Sequence, residues 1–155
     1  MFTDIRNRSK TGLEFNTSPN GKGITLYNAS GAAITKGDVF LIAYSSTSGQ
    51  EHQTKAQATS SVVGGQRFAV ALEDIAAAKI GYFAVGGYVA VCNVLGHASL
   101  VIGSRLKGVN AQEYLTFDHA TVGTAKACAI ALEAHTTVAA GLKKVLMLDN
   151  QAATL

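Results

Sequence analysis

The sequence predicts an all-β fold, a compact β-barrel or β-sandwich behind an extended N-terminal arm. Its apolar runs are short and rich in β-branched and aromatic residues, clusters of Gly, Asn, Asp and Ser separate them, and the only proline, Pro19, lies in the arm. The runs fall at residues 24–27, 39–44, 68–72, 82–85, 88–94, 100–102, 114–117, 127–132 and 145–148. Asn28-Ala29-Ser30-Gly31, Lys36-Gly37-Asp38, Ser48-Gly49, Gly64-Gly65 and Lys107-Gly108 supply turns between them. Residues 72–79 and 132–140 are richer in Ala, Glu and Leu and would allow one or two helical turns.

Two domain-level segments are expected, an arm over residues 1–23 and a β domain over residues 24–155. In the arm, Arg6, Arg8, Lys10, Asp4 and Glu14 crowd a polar stretch in which Phe2, Ile5, Leu13 and Phe15 share no periodicity. Such a segment either takes its structure from a neighbour or frays. Within the β domain, residues 68–85 laid over 128–145 at a constant offset of sixty give identities at Ala69/Ala129, Ala71/Ala131, Leu72/Leu132, Glu73/Glu133, Gly81/Gly141 and Val85/Val145. Two similar strand, loop, strand units are the simplest source of that echo.

A chain of 155 residues can bury about 68–70% of its unfolded surface as one domain. Charged residues make up 15%, against roughly 25% in an average soluble domain. So few charges imply either a membrane or a surface covered by partners. Residues 80–104 lack any charge, a gap longer than the roughly 20 residues that span a bilayer. Gly81, Gly86, Gly87, Gly96 and Gly103 interrupt it and its Val and Tyr content favours strands, so partners are the expected answer. No apolar run follows the basic start of the chain, so no secretory signal is expected. The net charge of +3 is scattered rather than gathered into a stripe, which gives nucleic-acid binding little support.

Motifs for chemistry are missing from the sequence. There is no GxxxxGK[ST] to cradle phosphates, no GxGxxG behind a strand, and no GxSxG to present a nucleophile. His52, His97, His119 and His135 occur singly, without the spacing that puts two imidazoles on one metal. Asp118-His119 reads as exposed turn chemistry, since neighbours in a strand face opposite ways. Glu73, Asp74 and Glu133 are the best acid-base candidates, but each Glu closes an Ala-x-Ala-Leu-Glu strand, where a carboxylate can accept amide hydrogen bonds. Gly37, Asp38, Gly81 and Gly141 complete the set of expected structural turn residues. Cys92 and Cys128 sit in apolar strand runs without zinc-ligand spacing and are expected to be buried free thiols. No cofactor is expected.

One arrangement resembles a known family. Tyr27-Asn28-Ala29-Ser30-Gly31-Ala32-Ala33-Ile34-Thr35-Lys36-Gly37-Asp38-Val39, then Phe68-Ala69-Val70-Ala71-Leu72-Glu73-Asp74-Ile75-Ala76-Ala77, then Gly81-Tyr82-Phe83-Ala84-Val85-Gly86-Gly87, is similar to the cement or decoration proteins of tailed-phage capsids. Gly103-Ser104-Arg105-Leu106-Lys107 is also similar, with Ser104 where an acidic residue is usual. The resemblance covers roughly residues 24–148 and leaves out the arm. It implies a non-enzymatic β domain, often trimeric, that is made in the host cytoplasm, binds between capsomers on the outside of a bacteriophage head and stabilises it. Its partners would be the major capsid protein and itself, with no nucleic acid and no membrane. On that reading Phe2, Ile5, Arg6, Arg8, Lys10, Leu13 and Phe15 are the capsid-contact residues of the arm. A host- or glycan-binding module displayed on the same particle is the alternative, and a small hydrolase using Glu73 and Glu133 is a third.

Overall fold

The structure, a computed structural model, describes residues 22–56, 67–109, 111–119 and 127–148. These residues form nine strands: β1 (Lys22–Tyr27), β2 (Val39–Tyr44), β3 (His52–Lys55), β4 (Phe68–Ala71), β5 (Ile80–Leu95), β6 (Arg105–Gly108), β7 (Leu115–Phe117), β8 (Ala129–Ala131) and β9 (Ala140–Met147). The described residues contain no helix, and hence none long and apolar enough to cross a membrane.

The pairings close two circuits. β1 pairs with β3, β3 with β2, β2 with β4, β4 with β5, and β5 returns to β1, making a five-stranded barrel. The same order recurs through β5, β7, β6, β8, β9 and back to β5. Strand β5 serves both circuits because it is 16 residues long, about 50 Å of extended chain. Its first half pairs with β1 and β4, and its second half with β7 and much of β9. The sequence suggests two runs separated by Gly86-Gly87, but the chain continues through them. Gly87, at φ 77°, takes a left-handed conformation that a side chain would strain. Closing each sheet on itself also removes the free edges through which β-proteins aggregate.

Period-2 alternation sorts the side chains. Leu26, Phe40, Ile42, Ala69, Ala71, Phe83 and Val85 point into the first barrel, with Ile34 and Ile75 filling it from the loops. Leu106, Leu115, Ala129, Ala131, Val145 and Met147 belong to the core of the second. Val39, Leu41, Phe68, Val70 and Ala84 alternate with the first barrel's inward residues and so face outward from it, yet they are buried in the same continuous core as the second barrel. That shared layer welds the barrels together.

Several local expectations change. Residues 100–102 form no strand, because Ser104 N–H donates to the Val101 carbonyl at 3.0 Å and turns the chain; Leu100 is buried while Val101 and Ile102 are exposed. Residues 72–79 and 132–140 form no helical turns. Their amides are used across the barrel instead: Ile75 N–H donates to Ile34 O at 2.9 Å and His135 N–H to Leu100 O at 3.2 Å. The arm boundary moves as well, since Lys22 and Gly23 already belong to β1, opposite Gly86 and Ala84. Strands β3 and β6, with sequences HQTK and RLKG, are too polar to be read as strands from an apolar run.

Candidate interaction surface

The expected turn residues build the barrel corners, and the second barrel repeats the first. Gly37 (φ 97°) donates its amide to Ala71 O at 2.8 Å, and Ala71 N–H donates to Asp38 O at 2.9 Å. Gly103 (φ 87°) donates to Ala131 O at 2.9 Å, and Ala131 N–H donates to Ser104 O at 2.8 Å. Asp38 Oδ2 accepts the Thr35 amide at 2.8 Å; Ser104 Oγ accepts the Val101 amide at 3.0 Å. A hydroxyl at 104 thus does the work of a carboxylate at 38, and both satisfy an amide that would otherwise be stranded in a tight turn.

Glu73 and Glu133 also act alike. Glu73 Oε1 accepts the Tyr82 amide at 3.0 Å, nine residues on; Glu133 Oε1 accepts the Lys144 amide at 2.7 Å, eleven residues on. The difference of two is a register slip. Ala71 faces Phe83 whereas Ala131 faces Val145, although Gly81 and Gly141 still face the corresponding residues Leu26 and Val94. An even slip preserves which side chains point inward. Gly81 is required because a Cβ there would overlap the Ile75 side chain, while one on Gly141 would press on His135 Nε2 at 3.1 Å.

The corner Gly37-Asp38 is also the joint between barrels. Asn93 N–H donates to Gly37 O at 2.8 Å, Val39 N–H donates to Glu113 O at 2.9 Å, and a Cβ on Gly37 would meet Leu142 Cδ2 at 2.7 Å. Burial pushes the Asp38 carboxyl up from its ordinary 3.8, opposed by hydrogen bonds from Thr35 and Asn93 and aided by nearby Asp74. Burial, then the Asp38 charge, likewise raises Glu113. A carboxylic acid whose native pKa is raised binds its proton more readily when folded, so its contribution to stability is lost as pH rises through the raised value. Stability is expected to increase on acidification in the window above 3.8 where Asp38 protonates. Asp38→Ser, copying Ser104, should cost less than about 1 kcal/mol and flatten this pH dependence, whereas Asp38→Ala should cost about 1–2 kcal/mol. Thermal melts across the acidic range decide it, and an unchanged slope in Asp38→Ser would contradict the assignment.

The remaining candidates are placed as follows. Cys92 and Cys128 are free and buried, and desolvation raises both thiols, Cys128 to about 12. Both should resist iodoacetamide in the folded protein and react on unfolding, and rapid labelling of either at neutral pH would contradict their burial. Asp118 departs from the expected exposed turn. It is buried, its amide donates to Arg105 O at 2.9 Å, and its Oδ1 lies 3.5 Å from Lys107 Nζ. His119 is exposed and, contrary to an expectation of isolated histidines, packs edge-on to His97 at 4.5 Å, with Phe117 against both. Among the described residues, no group of three or more His, Cys, Asp or Glu is placed to hold a metal ion. A cleft of about 420 Å³ beside β2 and β3 is lined by Gln53, Lys55, Gln112 and Glu113, with Phe40, 2% exposed, beneath. The expected arm contacts Phe2, Ile5, Arg6, Arg8, Lys10, Leu13 and Phe15 lie outside the described residues.

The surface itself carries the strongest signal. Tyr44, Ile80, Val101, Ile102, Val138, Leu142 and Leu146 are all exposed large hydrophobics, with Val138 78% and Ile102 70% accessible. Along the outer wall of the second barrel, Leu146 sits between Tyr88 on β5 and Ile130 on β8 as cross-strand neighbours. The sequence gives no sign of this wall or of Gly96, and Gly103 and Ser104 stand out in it only through the family resemblance, not as a corner. The available signal was a second Gly-x-strand corner at 103–105, matching 37–39 at an offset different from that of the later echo. No protein-family model matches the chain, and no curated protein matches it significantly.

Proposed function

We propose that the chain is a capsid cement protein, which binds the outer surface of an assembled phage head between capsomers and stabilises it without catalysing a reaction. The observation that carries this reading is the set of exposed large hydrophobics on a chain with 15% charged residues, a surface suited to being covered by protein. The resemblance adds the kind of partner. Its residues serve the fold, since Gly37, Asp38, Ile34 and Glu73 hold corners and loops rather than converging on a reaction centre. In this reading the chain is a homotrimer whose partners are itself and the major capsid protein. Buried thiols suit synthesis in a reducing host cytoplasm before assembly on the virion. For the glycan-binding alternative, the cleft offers the acid Glu113 but its Phe40 is too buried to serve as a stacking face.

Co-sedimentation with capsids that lack this chain tests the proposal. Binding should saturate at a fixed ratio to the shell protein and raise the temperature at which the capsids open; absence of binding would refute it. The arm can be tested in the same assay. Removing residues 1–21, which spares β1 from Lys22 onward, should leave the melting temperature of the free protein nearly unchanged and weaken capsid binding. Fixing a segment in one conformation costs about 1–2 kcal/mol per residue, a cost that pockets on the capsid would offset in this reading. Equal binding by the two forms would remove the arm from the contact.

A further inference from the structure

We infer that the seam of the first barrel, where β1 meets β3, is a pocket for a phenylalanine or tyrosine side chain carried on an extended segment of a partner protein. Each barrel closes there through a parallel pair that meets at a single register point, Tyr27 with Gln53 in the first and Val94 with Leu115 in the second. In the second barrel rings fill the space beside that point: His97 stacks on Phe117 with centroids 5.3 Å apart, and His119 packs edge-on to both at 4.5 Å. In the first barrel a cleft of about 420 Å³ remains, within the roughly 300–1,000 Å³ of ligand pockets. The residues responsible follow from the duplication. Val39 faces Val70 and Val70 faces Ala84, as Arg105 faces Ile130 and Ile130 faces Leu146. Two residues further along, Leu41 faces Lys55 and Lys107 faces Thr116, so Ala56 stands where the second barrel has Phe117. In the loops, Asn28 N–H donates to Lys79 O at 2.8 Å and Gly96 N–H to Ala139 O at 2.9 Å, so Ala29 stands where the second barrel has His97. Both alanines line the cleft. One copy of the fold thus leaves open what a phenyl and an imidazole fill in the other, and a ring is the occupant whose fit the chain itself demonstrates.

The surroundings select a polypeptide as the carrier of that ring. Gln53 and Gln112 line the cleft, and the amide of each both donates and accepts, as a peptide group requires. Lys55 and Glu113 add one charge of each sign, so together they suit a neutral segment. Beyond Gln53 the described residues place no strand on the β1 side of β3, which leaves an edge along which a segment can lie while its aromatic side chain enters the seam. Strand addition with a pocket for an alternate side chain combines main-chain affinity with side-chain specificity. The Ala29 amide, donated to Thr54 Oγ1 at 3.0 Å, holds the loop wall in place before any segment arrives. The pocket does not depend on which protein supplies the segment.

Titration of the full chain with the capped peptide acetyl-Thr-Thr-Phe-Thr-Thr-amide, followed through alanine methyl signals by NMR, tests the pocket. The methyls of Ala29, Ala56 and Ala111, which line the cleft, should shift together and saturate, while those of Ala129 and Ala131 in the second barrel stay in place. Replacing the peptide's phenylalanine by alanine should weaken binding about tenfold or more, the loss expected of an aromatic anchor. Ala29→His combined with Ala56→Phe writes the second barrel's rings into the first and should abolish the shift at Ala111 with circular dichroism retained. If that pair disrupts folding, Ala29→Leu, at an exposed loop position, should weaken binding in the same way. Unmoved methyls, equal affinity for the two peptides, or a folded filled variant that binds as well as the unaltered protein would each overturn the inference. Phenol binding as tightly as the peptide would overturn it too, since the ring alone would then be the ligand.

Discussion

Gly96→Ala should cost about 3 kcal/mol, because the added methyl group meets backbone rather than a side chain that can move. Gly96 follows β5, donates its amide to Ala139 O at 2.9 Å, and lies where the loop entering β9 crosses it. A Cβ there would overlap the Thr137 carbonyl and approach the His135 carbonyl at 2.9 Å. Both obstacles are backbone, and the second is already engaged by the His97 amide at 2.9 Å, so neither can rotate away. Overpacking costs about 1–3 kcal/mol; here two loop backbones must separate, which places the effect at the top of that range. Gly31→Ala is the control. Gly31 has open space around it and only a left-handed backbone at φ 81°, so its loss should be about 1–2 kcal/mol. Urea unfolding of the two variants measures the difference, and equal losses would contradict the crossing geometry.

Asn28→Ala should cost about 3 kcal/mol for a different reason. Its side chain is buried, and its Nδ2 donates to Ala32 O at 2.7 Å, Ala76 O at 3.1 Å and Ile75 O at 3.3 Å. Its Oδ1 accepts the Ser30 amide at 3.0 Å and the Ser30 hydroxyl at 2.7 Å. One side chain thus ties the β1–β2 loop to the β4–β5 loop. Truncation strands several polar groups, each contributing about 1 kcal/mol net. Asn28→Asp is the sharper probe, because an ionised carboxylate aimed at three carbonyl oxygens has no hydrogen to donate. That variant should lose about as much as alanine at neutral pH and recover part of it on acidification, since protonation restores one donor. A variant as stable as the unaltered protein at neutral pH would show that the amide is not donating as described.

The barrel class was readable from Ile24, Leu26, Phe40, Ala69 and Phe83, whose alternation and turn spacing require a sheet with one buried face. Strand boundaries were readable only where both sides of a strand are apolar, as in VFLIAY and FAVA. HQTK and RLKG were missed because their strand character comes from partners far along the chain. The echo between 68–85 and 128–145 pointed to Glu73 and Glu133 as equivalent residues, and the amide bonds they accept show what that equivalence consists of. The full extent of the duplication was hidden because the β1–β2 and β5–β6 loops differ in length and because Asp38 is answered by Ser104. The candidate interaction surface was legible only as a shortage of charge. Nothing in the spacing of Ile130 or Leu146 tells that their counterparts Val70 and Ala84 are covered within the chain while Leu146 is not.

Electron cryomicroscopy of purified particles would show whether the chain coats the outside of the shell. Density for paired five-stranded barrels is expected on the outer face of the shell, at capsomer junctions, in a fixed ratio to the major capsid protein. Particles that contain the chain without ordered density on that face, or that lack the chain altogether, would contradict it.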